Sequence, residues 1–324
     1  MTFPDLGLSE EVLRAIEEAG YHEPTPIQDK AIPYVLQGRD VLGGAQTGTG
    51  KTAAFALPMI DILAHGRARA RMPRALILEP TRELAHQVAE NFELYGKYQK
   101  LSMALLIGGV SFVDQHKKID RGVDVLIATP GRLLDHFERG GLMLSGTNLL
   151  VIDEADRMLD MGFIPDVKRI SAKLPSRRQT VMFSATMPKS VEGLAAGLLR
   201  DPVRVEAAPA ATTVEKVEQQ VLFVAKDKKR ALLGELLDDQ AIKRVLIFTR
   251  TKHGANRVAK HLHQRGILAD AIHGNKAQNA RQRALESFRS GRIRALVATD
   301  IAARGIDVDG ITHVINFDVP VDPE

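Results

Sequence analysis

The run Ala45-Gln46-Thr47-Gly48-Thr49-Gly50-Lys51-Thr52 is the stretch of this chain best equipped for chemistry. Its glycines permit a tight turn whose backbone N–H groups converge on an anion, and a helix starting there adds its positive end. Lys51 is then placed to meet the β- and γ-phosphates of a nucleotide, and Thr52 to meet magnesium. Ala45 stands where the usual phosphate-loop pattern begins with glycine, yet Gly50-Lys51-Thr52 is complete. Much further on, the apolar run Leu149-Leu150-Val151-Ile152 ends in Asp153 and Glu154. Asp153 can hold magnesium directly or through water, and Glu154 can orient and deprotonate the water that attacks the γ-phosphate. Taken alone, Asp153-Glu154-Ala155-Asp156 is an ordinary acidic helix start. Its pairing with Lys51 and Thr52 points instead to nucleotide hydrolysis.

Such a site needs strands whose carboxyl ends lie side by side, where open α/β sheets place their ligands. Short Val-, Ile- and Leu-rich runs alternate with amphipathic stretches, the pattern of a parallel sheet covered on both faces. In the first part this predicts strands at 40–43, 75–78, 104–107, 123–128, 149–152, 180–183 and 203–205. Ser9, Glu10 and Glu11 predict a preceding helix start, with Leu13, Ile16 and Ala19 on one face until Gly20. The segment Glu-Ala-Ala-Pro-Ala-Ala-Thr-Thr at 206–213 has no apolar period and suits a linker. The alternation then restarts, with strands expected at 217–224, 245–248, 270–272, 295–298 and 314–316.

The 324 residues exceed one ordinary core, so two domains are expected. An apolar fraction of 44% with 26% charged residues belongs to a folded globular chain. The net charge of +4 is compatible with a polyanionic partner without requiring one. Having no cysteine, the chain has no disulfide, thiolate metal site or cysteine nucleophile, which fits a reducing compartment, by default the cytoplasm. Residues 1–7 lack a basic start followed by an apolar stretch, and no run of eighteen apolar residues occurs. Neither export nor a membrane span is expected.

Asp153-Glu154-Ala155-Asp156 spells the name of the DEAD-box ATP-dependent RNA helicases, and nearly the whole chain resembles that family in motif order and spacing. The resemblance implies two tandem RecA-like phosphate-loop domains of α/β class with parallel sheets. The first is placed at 1–207, a linker at 208–213, and the second at 214–324, incomplete at its C-terminus. Gly20-Tyr21 with Pro24-Thr25-Pro26-Ile27-Gln28 resembles the family's adenine-reading motif, with Phe3 at its expected upstream place, so ATP is implied. The chemistry agrees: a glutamine amide donates and accepts at once, matching adenine N6 and N7, and Tyr21 offers a stacking face. Ser184-Ala185-Thr186 is similar to the coupling motif whose hydroxyls reach toward Asp156. Ser184 lacks the surrounding pattern of a hydrolase nucleophile. The segment 152–163 resembles the bacterial RhlE-type branch.

Several strand ends carry groups suited to successive phosphates, through hydroxyls, guanidinium groups and free amides. Pro80-Thr81-Arg82, Gly108-Gly109 and Thr129-Pro130-Gly131-Arg132 resemble the family's first-domain RNA contacts. In the second domain Thr249, Gly274, Gln278, Arg281 and Thr299 match its remaining RNA-gripping motifs, while His273 reads as a packing or orienting residue. Gly305 and Asp307 lie in the segment through which that domain reaches ATP. The basic clusters at Arg67, Arg69, Arg71 and Arg74, and at Lys226, Lys228, Lys229 and Arg230, read as solvated surface. Backbone gripping implies little sequence preference, with ribose hydroxyls selecting RNA. A DNA-dependent translocase and a non-catalytic RNA clamp are the alternatives. The family continues past 316–320 to an arginine motif, so the resemblance implies weak hydrolysis for a chain ending at Glu324.

Overall fold

The protein is described from a computed structural model covering residues 2–46, 48–206, 218–299, 308 and 310–319. The chain divides into two compact units, Met1–Thr212 and Thr213–Glu324. In the first unit the described strands are β1 (Val41–Gly44), β2 (Ala75–Leu78), β3 (Met103–Leu106), β4 (Val125–Ala128), β5 (Leu149–Ile152), β6 (Gln179–Ser184) and β7 (Val203–Glu206). They form one sheet in the order β3-β4-β2-β5-β6-β1-β7, every pairing parallel. The helices are α1 (Glu10–Glu18), α2 (Pro26–Leu36), α3 (Lys51–Leu63), α4 (Arg82–Tyr95), α5 (Phe112–Asp120), α6 (Pro130–Glu138), α7 (Ala155–Asp160), α8 (Ile164–Ser171) and α9 (Lys189–Leu198).

Strict alternation along the central strands sorts their side chains onto two cores. Ile77, Val151, Val181 and Phe183 pack with α1 to α4 on one face, whereas Leu76, Leu78, Leu150, Ile152 and Met182 pack with α6 to α9 on the other. Burial on both faces is why these strands read as continuous apolar runs. Gly43 lies under the Phe183 ring, where a β-carbon would overlap it, so β1 can approach β6 only with glycine there. Phe183 in turn packs on Phe55 of α3, with centroids 6.0 Å apart. Truncating either buried ring costs roughly 3–5 kcal/mol.

The helix expected after Ser9 is α1, with the Ser9 hydroxyl capping the Val12 N–H and Gly20 closing the end at φ +82°. Its buried face is Val12, Ala15 and Ile16, one step from the face anticipated around Leu13 and Ala19. The clusters expected to be solvated include an exception. Arg74 is anchored by the Leu63 carbonyl and by Asp124 at 3.0 Å, so it pins the loop before β2.

The second unit contains α10 (Lys229–Leu236), β8 (Val245–Phe248), α11 (Lys252–Gln264), β9 (Ala269–Ile272), α12 (Gln278–Arg289), β10 (Ala295–Ala298) and β11 (His313–Asn316). Its described strands form a parallel sheet in the order β11-β8-β10-β9. The strand expected at 217–224 is not found: residues 218–224 have no regular structure, and Val221 and Phe223 are 77% and 97% exposed. Apolar composition suits a strand, but a strand also requires a paired neighbour, and no described strand pairs with this segment.

Candidate nucleotide site and nucleic-acid face

The loop after β1 is tied back to the sheet, because the Ala45 N–H donates to the Ser184 carbonyl at 3.1 Å. Within it the Thr49 hydroxyl donates to the Gln46 carbonyl at 2.6 Å, and Gly48 and Gly50 adopt φ of +82° and +88°. Those two left-handed positions turn the chain into α3, which begins at Lys51. Gly50 is required for a second reason: a β-carbon there would collide with Gln28 and Thr25. Thr52 is half-buried in the first turn of α3. Thr47 lies outside the described residues.

Lys51 is 5% exposed and meets both acids from the end of β5. Its ammonium contacts Glu154 directly and lies 3.8 Å from Asp153 Oδ1. The other Glu154 oxygen is 2.9 Å from Arg157 Nε, one turn along α7. Glu154 itself sits at φ +53°, a left-handed conformation that L residues adopt reluctantly and that concentrates at functional sites. The Glu154 N–H donates to Asp153 at 2.9 Å. Burial pushes the Asp153 carboxyl up to about 6, against the pull of Lys51. Burial also works against the Lys51 charge, but Asp153 and Glu154 outweigh it and hold the ammonium above its ordinary value. Buried charge this dense is a weak contributor to stability and a frequent mark of function.

The adenine-motif residues adjoin this loop. Gln28, 1% exposed, accepts from the Thr25 N–H at 2.9 Å and donates to the Gly50 carbonyl at 3.1 Å. One acceptor site and one N–H of its amide are thereby used, leaving one of each. Tyr21 is 39% exposed, and its ring is held edge-on by Tyr95, whose hydroxyl lies 3.2 Å from that of Tyr21. Phe3 lies in the core with Leu6, in a turn that packs on α2.

Asp156, Ser184 and Thr186 come together as one knot. Asp156 accepts from the Thr186 N–H at 2.8 Å and from its hydroxyl at 3.1 Å. Ser184 accepts from the Asp156 N–H at 3.1 Å and donates to the Thr186 carbonyl at 2.7 Å. Since Ser184 also receives Ala45 through its own carbonyl, the knot joins α7 to the phosphate loop.

The anticipated nucleic-acid groups of this unit gather at the ends of β2, β4 and β3, which are neighbours in the sheet. Thr81 caps α4 through a bond from the Leu84 N–H and is 7% exposed. Pro80 is buried beside it, and the Arg82 guanidinium covers Gly108. Gly109 is exposed at φ +79°. Thr129 precedes α6, with Pro130 in its first turn. Arg132 donates to the Gln115 side chain at 3.0 Å and the Val110 carbonyl at 2.7 Å, while its guanidinium lies over the Phe112 ring. It therefore holds the glycine loop in place as well as facing outward.

In the second unit Thr249, Gly274 and Thr299 follow β8, β9 and β10, again adjacent. Thr249 is 1% exposed and bonded to the Thr251 carbonyl at 3.3 Å. Gln278 opens α12 and is buried, and Arg281 is half-buried one turn later. His273 is bonded to Asn256 at 3.0 Å and lowered by burial and the surrounding cations, consistent with an orienting residue. Gly305 and Asp307 lie outside the described residues.

One buried acid escaped the motif reading. Glu79, next to Pro80, is fully buried at the end of β2. The signal was available, because an apolar run ending in an acid at 75–79 has the same form as the run at 149–153.

Comparisons with known proteins identify the family. A family model described as DEAD/DEAH box helicase matches residues 25–194, and one described as helicase conserved C-terminal domain matches 227–324. A Geobacillus kaustophilus protein named DEAD-box ATP-dependent RNA helicase CshA is 44% identical over 323 residues, covering 100% of this chain and 68% of the relative. A Mycobacterium tuberculosis protein named ATP-dependent RNA helicase DeaD is 45% identical over 324 residues, covering 100% of this chain and 57% of the relative. The chain thus spans between a little over half and about two thirds of these relatives. Among solved structures, S. cerevisiae Dbp5 bound to RNA and ADP BeF3 matches with a TM-score of 0.88 at 32% identity, covering 99% of this chain and 82% of that one. A DEAD box protein from Methanococcus jannaschii matches with a TM-score of 0.61 at 36% identity, covering 100% and 86%. The two parallel-sheet units are accordingly the RecA-like fold of these proteins. With one family model covering more than half of the sequence and relatives aligned along all of it, the chain belongs to the DEAD/DEAH-box helicase family.

Proposed function

We propose that the protein is an ATP-dependent RNA helicase that couples RNA-stimulated ATP hydrolysis to local remodelling of RNA duplexes and RNA–protein complexes. The observation that carries the reading is Lys51, buried at the start of α3 against Asp153 and Glu154. Residues 1–207 form the ATP-binding domain in this reading, 208–213 the linker, and 214–324 the second helicase domain.

A triphosphate arriving at the loop competes with Glu154 and Asp153 for the Lys51 ammonium. As Lys51 turns to the β- and γ-phosphates, the Glu154 oxygen it held is released to accept a proton from the attacking water, while the other oxygen stays beside Arg157. Asp153 and the Thr52 hydroxyl fit a magnesium site, being an oxygen pair at the mouth of a helix N-terminus. Among the described residues no three His, Asp or Glu side chains form a metal cage; magnesium generally keeps several waters and binds through one or two carboxylates with substrate phosphates. Bound magnesium supplies charge neutralisation for the phosphate oxygens. Gln28 uses its remaining donor and acceptor on adenine beside Tyr21, and the Asp156–Thr186–Ser184 knot carries the state of the loop onward.

RNA runs along the β2, β4 and β3 ends, held through its sugar-phosphate backbone by Thr81, Arg82, Gly109, Thr129 and Arg132, and in the second unit by Thr249, Gly274, Gln278, Arg281 and Thr299. The cytoplasm is the proposed compartment, and no described helix is long and apolar enough to cross a membrane. The two bacterial relatives carry the names CshA and DeaD, so the RhlE-type placement rests on residues 152–163 alone.

ATP hydrolysis measured with matched single-stranded RNA and DNA tests the reading. RNA is expected to stimulate turnover and DNA to leave it near the basal rate; equal stimulation by both would instead make the protein a nucleic-acid translocase without RNA selectivity.

A further inference from the structure

Glu79 has no place in the mechanism above, yet its burial is complete. Neither carboxyl oxygen has a hydrogen-bond partner among the described residues. A buried carboxyl without a partner costs several kcal/mol, so a position that keeps one usually supplies the partner at another stage of the working cycle.

The sheet register says where this carboxyl points. Leu78 of β2 is aligned with Ile152 of β5, so Glu79 and Asp153 are aligned one step later. The Asp153 N–H donates to the Leu78 carbonyl at 3.2 Å, and the Glu79 N–H to the Ala128 carbonyl at 2.9 Å, so both residues are fixed to the strand ends. Neighbouring parallel strands lie about 4.8 Å apart, and aligned residues share a face. Leu78 and Ile152 face the core beneath α6 to α9, so Glu79 and Asp153 face the opposite side, where α3 presents Lys51. Burial first, and then the fields of Asp153 and Glu154, raise the Glu79 carboxyl well above the usual range, while Lys51 opposes them. Glu79 is therefore electrically part of the phosphate-loop cluster.

We propose that Glu79 is a positioning residue of the nucleotide site, whose carboxyl oxygens accept hydrogen bonds from water bound around the divalent cation beside Asp153. This deepens the ATPase reading and rests on it. A direct bond to the cation is not part of the assignment, because no metal cage closes among the described acids. An outer partner needs only a water between the carboxyl group and the ion, and it accounts for two carboxyl oxygens left without a partner in a sealed position. Such partners commonly change metal affinity by 10- to 100-fold when removed.

The test is a fluorescent-ATP binding titration across magnesium concentrations, with wild type, Glu79→Gln and Glu79→Leu. The expected result is a magnesium half-saturation raised on the order of tenfold by Glu79→Gln and further by Glu79→Leu. Magnesium-free melting of both variants is expected to match or exceed wild type, since an unpartnered carboxyl has been removed. Should Glu79→Leu fail to fold, Glu79→Gln, with nearly the same volume, carries the test. Unchanged half-saturation in Glu79→Gln would overturn the inference and leave Glu79 a buried acid held by packing alone. Failure of wild type to bind ATP at any magnesium concentration would overturn the ATPase reading instead, so the two failures are distinguishable.

Discussion

The carboxyl edge of the first sheet has two halves, and they handle charge in opposite ways. At β1, β5 and β6 the working groups are sealed: Lys51, Asp153 and Glu154 are each at most 5% exposed and neutralise one another. At β4 and β3 the edge is built from exposed glycine, a half-buried threonine at the start of α6 and an arginine already tied to its own domain. Buried charge is strong because little solvent screens it, and it is costly for the same reason, so it belongs where a small, highly charged ligand can be enclosed. A long polyanion passes over a surface instead, where many weak, salt-screened contacts add up. β2 lies between the halves and contributes to both, with Glu79 facing inward and Thr81 opening the helix that faces the nucleic acid.

The sharpest way to break this contrast is Lys51→Ala. Its expected effect is loss of ATP binding and a fall in turnover of about a hundredfold or more, with nucleotide-free RNA affinity unchanged in a filter-binding assay. Asp156→Ala comes next: removing both Thr186 bonds is expected to abolish RNA stimulation of the ATPase while the nucleotide Kd stays within about twofold, since only the link onward is lost. On the other half, Arg132→Ala is expected to weaken RNA binding about equally for all sequences and to reduce the slope of log affinity against log salt by about one, leaving ATP affinity unchanged. Thr81→Val removes a helix cap and is expected to cost about 1 kcal/mol of stability by denaturant unfolding.

The smallest effect concerns pH. His136 is buried on Gln115 and stacked on Phe112, and burial, then Arg132 nearby, lowers its imidazole to about 4. Between its ordinary value of 6.5 and about 4 the unfolded chain binds the extra proton and the folded one does not. Stability contributed by neutral His136 is thus complete above 6.5 and declines as pH falls toward about 4. Melting across that window is expected to shift less in His136→Gln than in wild type.

Much of this was legible in the sequence, for definable reasons. The central strands are buried on both faces, so 75–78, 149–152, 245–248 and 295–298 could be located to the residue. The motif residues Lys51, Asp153 and Asp156 follow strands or open helices, and fixed elements carry them to one edge. What escaped depends on partners far away in the chain. The bonds that Arg132 makes to Gln115 and Val110 were not legible, because those residues lie on another segment. Tyr95 as the support of Tyr21, and Arg74 as an anchor to Asp124, are equally long-range. Glu79 was hidden by its neighbours, since Pro80-Thr81-Arg82 drew the reading outward while its own side chain turns inward.

The most direct test of the central claim is Glu154→Gln, assayed for ATP binding and for RNA-stimulated hydrolysis in the same preparation. The substitution keeps the shape and removes the base, so binding is expected to persist while turnover falls by about 10²- to 10⁴-fold. Turnover equal to wild type with binding intact would contradict the assignment of Glu154 as the group that receives the water's proton.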